Sequence, residues 1–428
     1  MTDKVVVSQL GARMHYAVPA IFHSKRRLAH FYTDICATKG WPRILSLIPP
    51  RLLPAPVRRL AGRQPAAIPN GLTTVFPGFG LRSAYRRMKA KDVVSETSHA
   101  LWAGSRFSRM VAESGFHDAA GLYAFSGDAL EQMQAARRRG LWTAVEQMIA
   151  PRDALEALLD TEIRRFPEWA GVVSENPLAH TFAAREKAEW ALADKIICPS
   201  SFVRDHVVAC GGPAERCVVV PYGVDARVAP QRGVRSPGPL RILTVGEVGL
   251  RKGSPYVVEA ARLLSGNATV RMVGGTYLAE AIQLEIAKWV ELRGVVPRAD
   301  IGCDFHWADV FLLPSICEGS ATAVYEALAA GLPVITTENT GSVVRDGIEG
   351  FIVPAGDAAA IAIAAERLAT NNELRRSMSA NALQRASEFT VEQYGIRLLA
   401  ALPKPRETSR SAEVGVALEP RLQNGGIR

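Results

Sequence analysis

The stretch from Asp309 to Thr337 constrains this chain more than any other. Val310 to Leu313 is apolar without alternation and ends at Pro314-Ser315, the pattern of a short parallel strand buried on both faces. The spacing predicts a helix next, starting between Ser320 and Thr322, where hydroxyls can cap the first turn, and stopping at Gly331 just ahead of a second buried strand. Strand, glycine-bearing turn, helix and strand together place the amides around Ser320 to Ala323 beyond the first strand's carboxyl end, a position suited to an anion. Two acids flank it: Glu318 before the helix and Glu326 about one turn inside. Carboxylates beside a phosphate-type site need another task, and ionised carboxylates are strong acceptors for sugar hydroxyls. Two solvated or capping glutamates would leave the same spacing.

A chain of 428 residues, 48% of them hydrophobic, has room for two domains with a core each. The six cysteines form no C-x-x-C pair, the first residues carry no charged-then-apolar signal segment, and no apolar run reaches the ~20 residues that span a bilayer. A reduced, cytoplasmic protein is the expectation. Its net charge of +9 sits at the front: residues 1 to 100 hold 16 Lys/Arg against 4 Asp/Glu, whereas the last 208 residues balance at 22 each. Bulky apolar residues interleave with those bases, as in Trp41-Pro-Arg-Ile-Leu-Ser-Leu-Ile48 and Tyr85-Arg-Arg-Met-Lys89. Such a mixture suits an anionic membrane surface, with the protein peripheral on the inner face. A solvated basic face is the other reading, since prolines at 42, 49, 50, 54 and 56 bar one long amphipathic helix.

Along the chain, Lys4 to Ser8 reads as a strand leading to Gly11, Lys25 to Thr38 as a helix, and residues 40 to 90 as irregular. Strands are expected at Gly121 to Phe125 and Leu141 to Val145, around a helix from Asp128 to Arg139. After a helix through Arg185, a strand ending in a serine N-cap and another helix, Cys217 to Val219 closes the first domain at Pro221-Tyr-Gly-Val-Asp225, and Ala226 to Leu240 reads as a hinge. The second domain opens with Arg241-Ile-Leu-Thr-Val-Gly246 and Arg251-Lys252-Gly253, then a helix from Ser254. A glycine-bearing loop with two adjacent cations suits a diphosphate, because Arg and Lys neutralise charge developing on a leaving group; a solvated loop is the plainer account. Further strands are expected at Thr269 to Val273, Glu291 to Val296, Val334 to Thr336 and Phe351 to Val353.

Glu318-Gly-Ser-Ala-Thr-Ala-Val-Tyr-Glu326-Ala-Leu-Ala-Ala-Gly331-Leu-Pro-Val-Ile, preceded by Ala308-Asp-Val-Phe-Leu-Leu-Pro-Ser315, resembles the Glu-x7-Glu segment of the family-4 retaining glycosyltransferases (glycosyl transferases group 1). The Ala193-Asp194 strand, the Pro-x-Gly-Val-Asp turn and Arg345 to Asp357 resemble the same family. The resemblance implies an α/β architecture of two Rossmann-like domains facing a cleft, the GT-B fold: residues 1–228 on the acceptor side, 236–386 on the nucleotide-sugar side, and a helix at about 388–401 crossing back; residues 403–428, polar and bearing Pro and Gly, are expected from their composition to be a disordered tail. It implies transfer of a hexosyl unit from a nucleoside-diphosphate sugar to an acceptor hydroxyl, on a lipid-linked or polysaccharide precursor. In that scheme Glu318 binds the donor sugar and steadies its oxocarbenium-like state, and Glu326 holds the ribose. Arg251, Lys252 and the amides near Ala321 and Thr322 steady the departing diphosphate. Gly319, Ser320, Gly246 and, from the first domain, Gly11 lie beside the donor. The donor is a co-substrate and no other cofactor is implied; without an Asp-x-Asp motif, no metal is indicated.

The sequence departs from the family at Ser320-Ala321-Thr322, which replaces Phe-Gly-Leu, at Glu247, where many relatives carry Arg, and at Gly11, one glycine in place of two. A histidine expected after the strand at 141–145 is absent from Val145-Glu146-Gln147-Met148, leaving Glu146 or Gln147 as substitutes; His15 and His23 are candidates for touching the acceptor. Two other readings remain: a GT-B epimerase or phosphorylase, and a non-catalytic relative binding membrane or nucleic acid, although no nucleic-acid module is recognisable.

Overall fold

The computed structural model describes residues 3–49, 52–170, 176–225, 238–298 and 300–403; the expected tail, and most of the expected hinge, lie outside them. Seven parallel strands form the first sheet: β1 (Val5–Gln9), β2 (Leu28–Thr33), β3 (Thr73–Val75), β4 (Gly121–Phe125), β5 (Trp142–Glu146), β6 (Lys195–Cys198) and β7 (Cys217–Val219), in the order β3-β2-β1-β4-β5-β6-β7. Six form the second: β8 (Leu240–Val245), β9 (Ala268–Val273), β10 (Val290–Gly294), β11 (Val310–Leu313), β12 (Val334–Thr336) and β13 (Gly350–Ile352), in the order β10-β9-β8-β11-β12-β13, again all parallel. Each order reverses once, between β1 and β4 and between β8 and β11. A doubly wound sheet opens its crevice there, beyond the strands' carboxyl ends.

The central strands β1, β4, β5 and β11 are buried at every residue, as helices on both faces require. One apolar cluster runs from Val7 and Tyr123 through Tyr222 and Tyr394 to Tyr325 and Leu328, so the two sheets share part of their core. The last described helix, Val391–Ala401, joins them: Tyr394 meets Tyr222 edge-on at 5.7 Å, Arg397 donates to the carbonyls of Pro221 and Tyr222 at 3.3 Å, and Gly395 lies against Ile21. No helix among the described residues is long and apolar enough to cross a membrane.

The expected helix over Lys25 to Thr38 is a correction: a helix does occur, but earlier, at Ala17–Ser24, and Leu28–Thr33 is β2. All six β2 residues are buried, so Leu28, Phe31 and Tyr32 fill both faces of a strand, and apolar content alone does not separate that from a helical stripe. Residues 40 to 90 are also more ordered than expected. They carry the helix Ala55–Ala61, β3, and the helix Pro77–Lys89, whose proline sits in the first turn where a missing amide costs nothing.

Candidate active site

At the second sheet's switch point, the loop after β8 meets the loop after β11. Gly246 leaves β8 at φ +148°, a short turn carries Leu250–Lys252, and Gly253 takes φ +69°. A Cβ at Gly253 would lie 2.0 Å from the Pro314 carbonyl oxygen, so no other residue allows the two loops to approach this closely. The Arg251 carbonyl accepts the amides of Ile316 and Cys317 at 2.9 and 3.3 Å, tying the cation loop to the acid loop. The side chains then converge: Lys252 Nζ lies 2.7 Å from Glu318 Oε1, and Arg251 Nη1 donates to the same oxygen. The Lys252 stem passes beside Gly246, where a Cβ would meet it at 3.0 Å. Glu318 is held from behind as well, its amide donating to Asn339 O at 3.0 Å while Asn339 donates to Ile316 O.

The helix expected after this turn is Thr322–Ala329, with Ala321 at its N-cap and no capping side chain, which corrects the expected hydroxyl cap. The Ser320 hydroxyl instead bonds Tyr325 OH at 2.6 Å, and the Ala321 amide donates to Thr340 O at 3.3 Å. Thr322 opens the helix, where helix geometry leaves its amide without an intrahelical partner. Glu326, one turn further, accepts from Arg298 Nη2 at 3.1 Å; burial raises its carboxyl's pKa and the Arg298 charge opposes that rise. Arg298 escaped the sequence reading because it stands alone in the loop after β10, without a motif.

The first domain supplies the opposite wall. Gly11, at φ +76° just after β1, donates its amide to Asp34 Oδ1 at 3.1 Å, and a Cβ there would meet nothing within 4 Å, so space is open beside it. Met14, His15 and Tyr16 then follow with φ of 43°, 51° and 65°, a run of left-handed conformations that non-glycine residues rarely adopt. Burial first, then the charge of Arg298, lower the His15 pKa, so His15 lies within electrostatic reach of the arginine that pairs with Glu326. Arg13 donates to Met148 Sδ and lies 5.5 Å over the Phe125 ring. Three consecutive strained residues carry no sequence signature, so this wall was not legible beyond Gly11 and His15. His23 lies elsewhere, lining a cavity at the far end of the sheet.

Neither substitute for the expected histidine faces the cleft. Glu146 is buried and accepts from Tyr123 OH at 2.5 Å and Tyr222 OH at 2.7 Å; burial raises its pKa against those two hydroxyls and Arg13. Gln147 donates to Glu186 and to Ile149 O and accepts from Trp190. What the segment gives the site is backbone. A Cβ on Gly319 would stand 1.7 Å from Met148 O, and the Gly319 carbonyl accepts from Ser200 Oγ at 2.6 Å. The Glu318 turn is thereby seated against the first domain.

Two parallel doubly wound sheets with a site at the cleft between them define the GT-B class of protein. The Anabaena protein HepE in complex with UDP shares the fold at TM-score 0.59 and 16% identity, over 93% of this chain and 100% of that one. A sucrose-phosphate synthase from Thermosynechococcus elongatus does so at TM-score 0.61 and 16% identity, over 93% and 98%. More specifically, residues 239–371 match the Glycosyl transferases group 1 family. By sequence the chain is similar to the putative colanic acid biosynthesis glycosyltransferase WcaL of Salmonella typhimurium, 32% identical over 43% of this chain and 49% of that one. It is also similar to the amylovoran biosynthesis glycosyltransferase AmsK of Erwinia amylovora, 31% identical over 41% and 47%. The matches thus span about half the length of these relatives.

Proposed function

We propose that the chain is a metal-independent, retaining glycosyltransferase that moves a hexosyl unit from a nucleoside-diphosphate sugar to a hydroxyl of a polysaccharide or lipid-linked precursor. The observation carrying this reading is the convergence of Arg251 and Lys252 on Glu318 at the switch point, beside a helix start without a side-chain cap. Glu318 accepts hydroxyls of the donor sugar, Glu326 those of the ribose, and Arg251, Lys252 and the Thr322 amide receive the diphosphate, with Gly246, Gly319, Ser320 and Ala321 shaping the pocket and Gly11 opening it from the other side. The C1–O bond to the diphosphate breaks, the acceptor oxygen bonds C1 on the same face, and its proton passes to the departing phosphate oxygen. The two cations stabilise charge that exists only once the bond has loosened, so they favour the transition state over bound substrate. The roles of the relatives in colanic acid and amylovoran biosynthesis agree with a polysaccharide product.

A lipid-linked acceptor is supported by the helix Pro77–Lys89, which exposes Leu81, Tyr85 and Met88 at four- and three-residue spacing, between Arg82, Arg87 and Lys89. An apolar stripe edged by bases suits an anionic bilayer. Turnover of UDP-, GDP- and ADP-sugars with lipid-linked and soluble acceptors, with NMR assignment of the product anomer, tests the proposal. A retained anomer, formed by wild type and lost in Glu318→Gln, supports it; an inverted product or donor turnover without any acceptor sinks it.

A further inference from the structure

Beside the cleft, the first domain has a second cavity, of about 470 Å³, at the other end of its sheet. Its walls come from residues around the amino ends of the strands: Lys4 before β1, His23 in the last turn of the helix Ala17–Ser24, Arg26 in the turn into β2, His30 within β2, and His117 and Asp118 ahead of β4. Five of these six side chains are cationic or become so on protonation. Asp118, the sixth, is engaged by Lys4 at 3.0 Å. Asp118 is the one carboxylate among these six side chains, and the charges of both Lys4 and His117 act on it. One cation would suffice to answer the carboxyl end of the helix Ala17–Ser24, which ends here.

The imidazoles are specifically arranged. His30 and His117 stack at 4.1 Å between ring centroids. The Tyr32 hydroxyl donates to Gly115 O at 3.0 Å and lies 3.1 Å from His117 Nε2. His30 Nε2 is likewise tied to Thr74 Oγ1 at 2.8 Å. Burial first, then His117 and Lys39, push the His30 pKa down to about 4, so the empty cavity resists charging that ring. An anion removes that resistance. Two wall residues, Arg26 at φ +57° and His117 at φ +51°, are also held left-handed, strain of the sort that clusters at ligand clamps.

We propose that this cavity is a binding site for a phosphomonoester, separate from the donor site, with Arg26, Lys4 and the stacked His30 and His117 rings as its anion contacts. The volume exceeds that of a bare phosphate, so the ligand carries an organic group, either a small phosphorylated metabolite or the phosphate of a lipid.

Calorimetric titration of the full-length protein with glycerol phosphate, together with histidine NMR titrations, tests this. Saturable binding that raises the pKa of His30 and His117, weakens about tenfold in Arg26→Ala, and strengthens in Asp118→Asn is expected, since each charge-assisted contact is worth about a factor of ten. The gain in Asp118→Asn excludes misfolding as the cause. No saturable binding by wild type, or unchanged binding in both variants, overturns the proposal. Co-sedimentation with phosphatidic acid vesicles assigns the source: retention of wild type but not Arg26→Ala, competed by glycerol phosphate, identifies the lipid, and glycerol phosphate binding without that retention identifies the metabolite.

Discussion

At the scale of residues, the site turns on opposite charges brought within contact by glycines. Replacing Lys252 with Met removes a cation expected to matter most when the diphosphate departs. We therefore expect kcat to fall about a hundredfold or more with a smaller change in KM; equal loss in a mutant with intact donor binding supports the role, and unchanged kcat removes it. A different prediction follows from Asp128. Burial raises its carboxyl from the ordinary 3.8 to about 7, against the pull of Arg13 and Arg185. The native state then holds a proton that the unfolded chain has released, so this group's stabilising contribution, full below about pH 4, declines as pH rises toward 7. Asp128→Asn removes the decline, and relative to wild type should gain on the order of 4 kcal/mol between pH 4 and pH 8. Urea unfolding at both values measures it; parallel losses in the two proteins would refute the assignment.

Among elements, the turn after β11 and the helix Pro77–Lys89 carry separate burdens. Gly319→Ala should push the Glu318 turn off Met148 O, at a cost of about 1–3 kcal/mol from overpacking, and lower activity while leaving donor binding to the isolated second-domain surfaces largely intact. Thermal unfolding together with nucleotide titration separates those effects, and a fully active variant would show that the seating is dispensable. Leu81→Ser with Met88→Ser should weaken retention on anionic vesicles about tenfold or more, measured by co-sedimentation, because two exposed apolar side chains that would enter the bilayer are removed from the stripe. Equal retention would place the membrane contact elsewhere. These elements also show where the sequence was readable. β11, the Thr322–Ala329 helix and β12 were legible because burial on both faces, a glycine stop and short connections coincide over a few residues. β2 was not, since a strand covered on both faces has no alternation to display. The meeting of Arg251, Lys252 and Glu318 joins residues far apart in the chain; the motif resemblance suggested it, while Arg298 and the strained Met14 to Tyr16 wall depend on tertiary placement alone.

For the whole molecule, the two sheets are coupled at more than the cleft. Tyr256 OH donates to Glu162 at 2.6 Å, and Phe166 packs edge-on to Tyr256 at 5.2 Å, fastening the helix Arg152–Arg165 of the first half onto the second. On the other side, Tyr394 and Arg397 lock the returning helix onto Tyr222. Tyr394→Ala should cost about 3–5 kcal/mol, the usual loss for a buried aromatic, and should broaden amide exchange around Tyr123 as well as Tyr325 because one apolar cluster holds all three. Protection lost in only one half would show that the clusters are independent.

That returning helix has a consequence for how the protein is made. During synthesis the first sheet leaves the ribosome long before Val391–Ala401, yet its surface around Ile21 and Tyr222 is completed by Tyr394, Gly395 and Arg397. The half translated first must therefore wait with an uncovered seam until the last described helix arrives, and the order of birth of the two halves is the reverse of the order in which they can be finished.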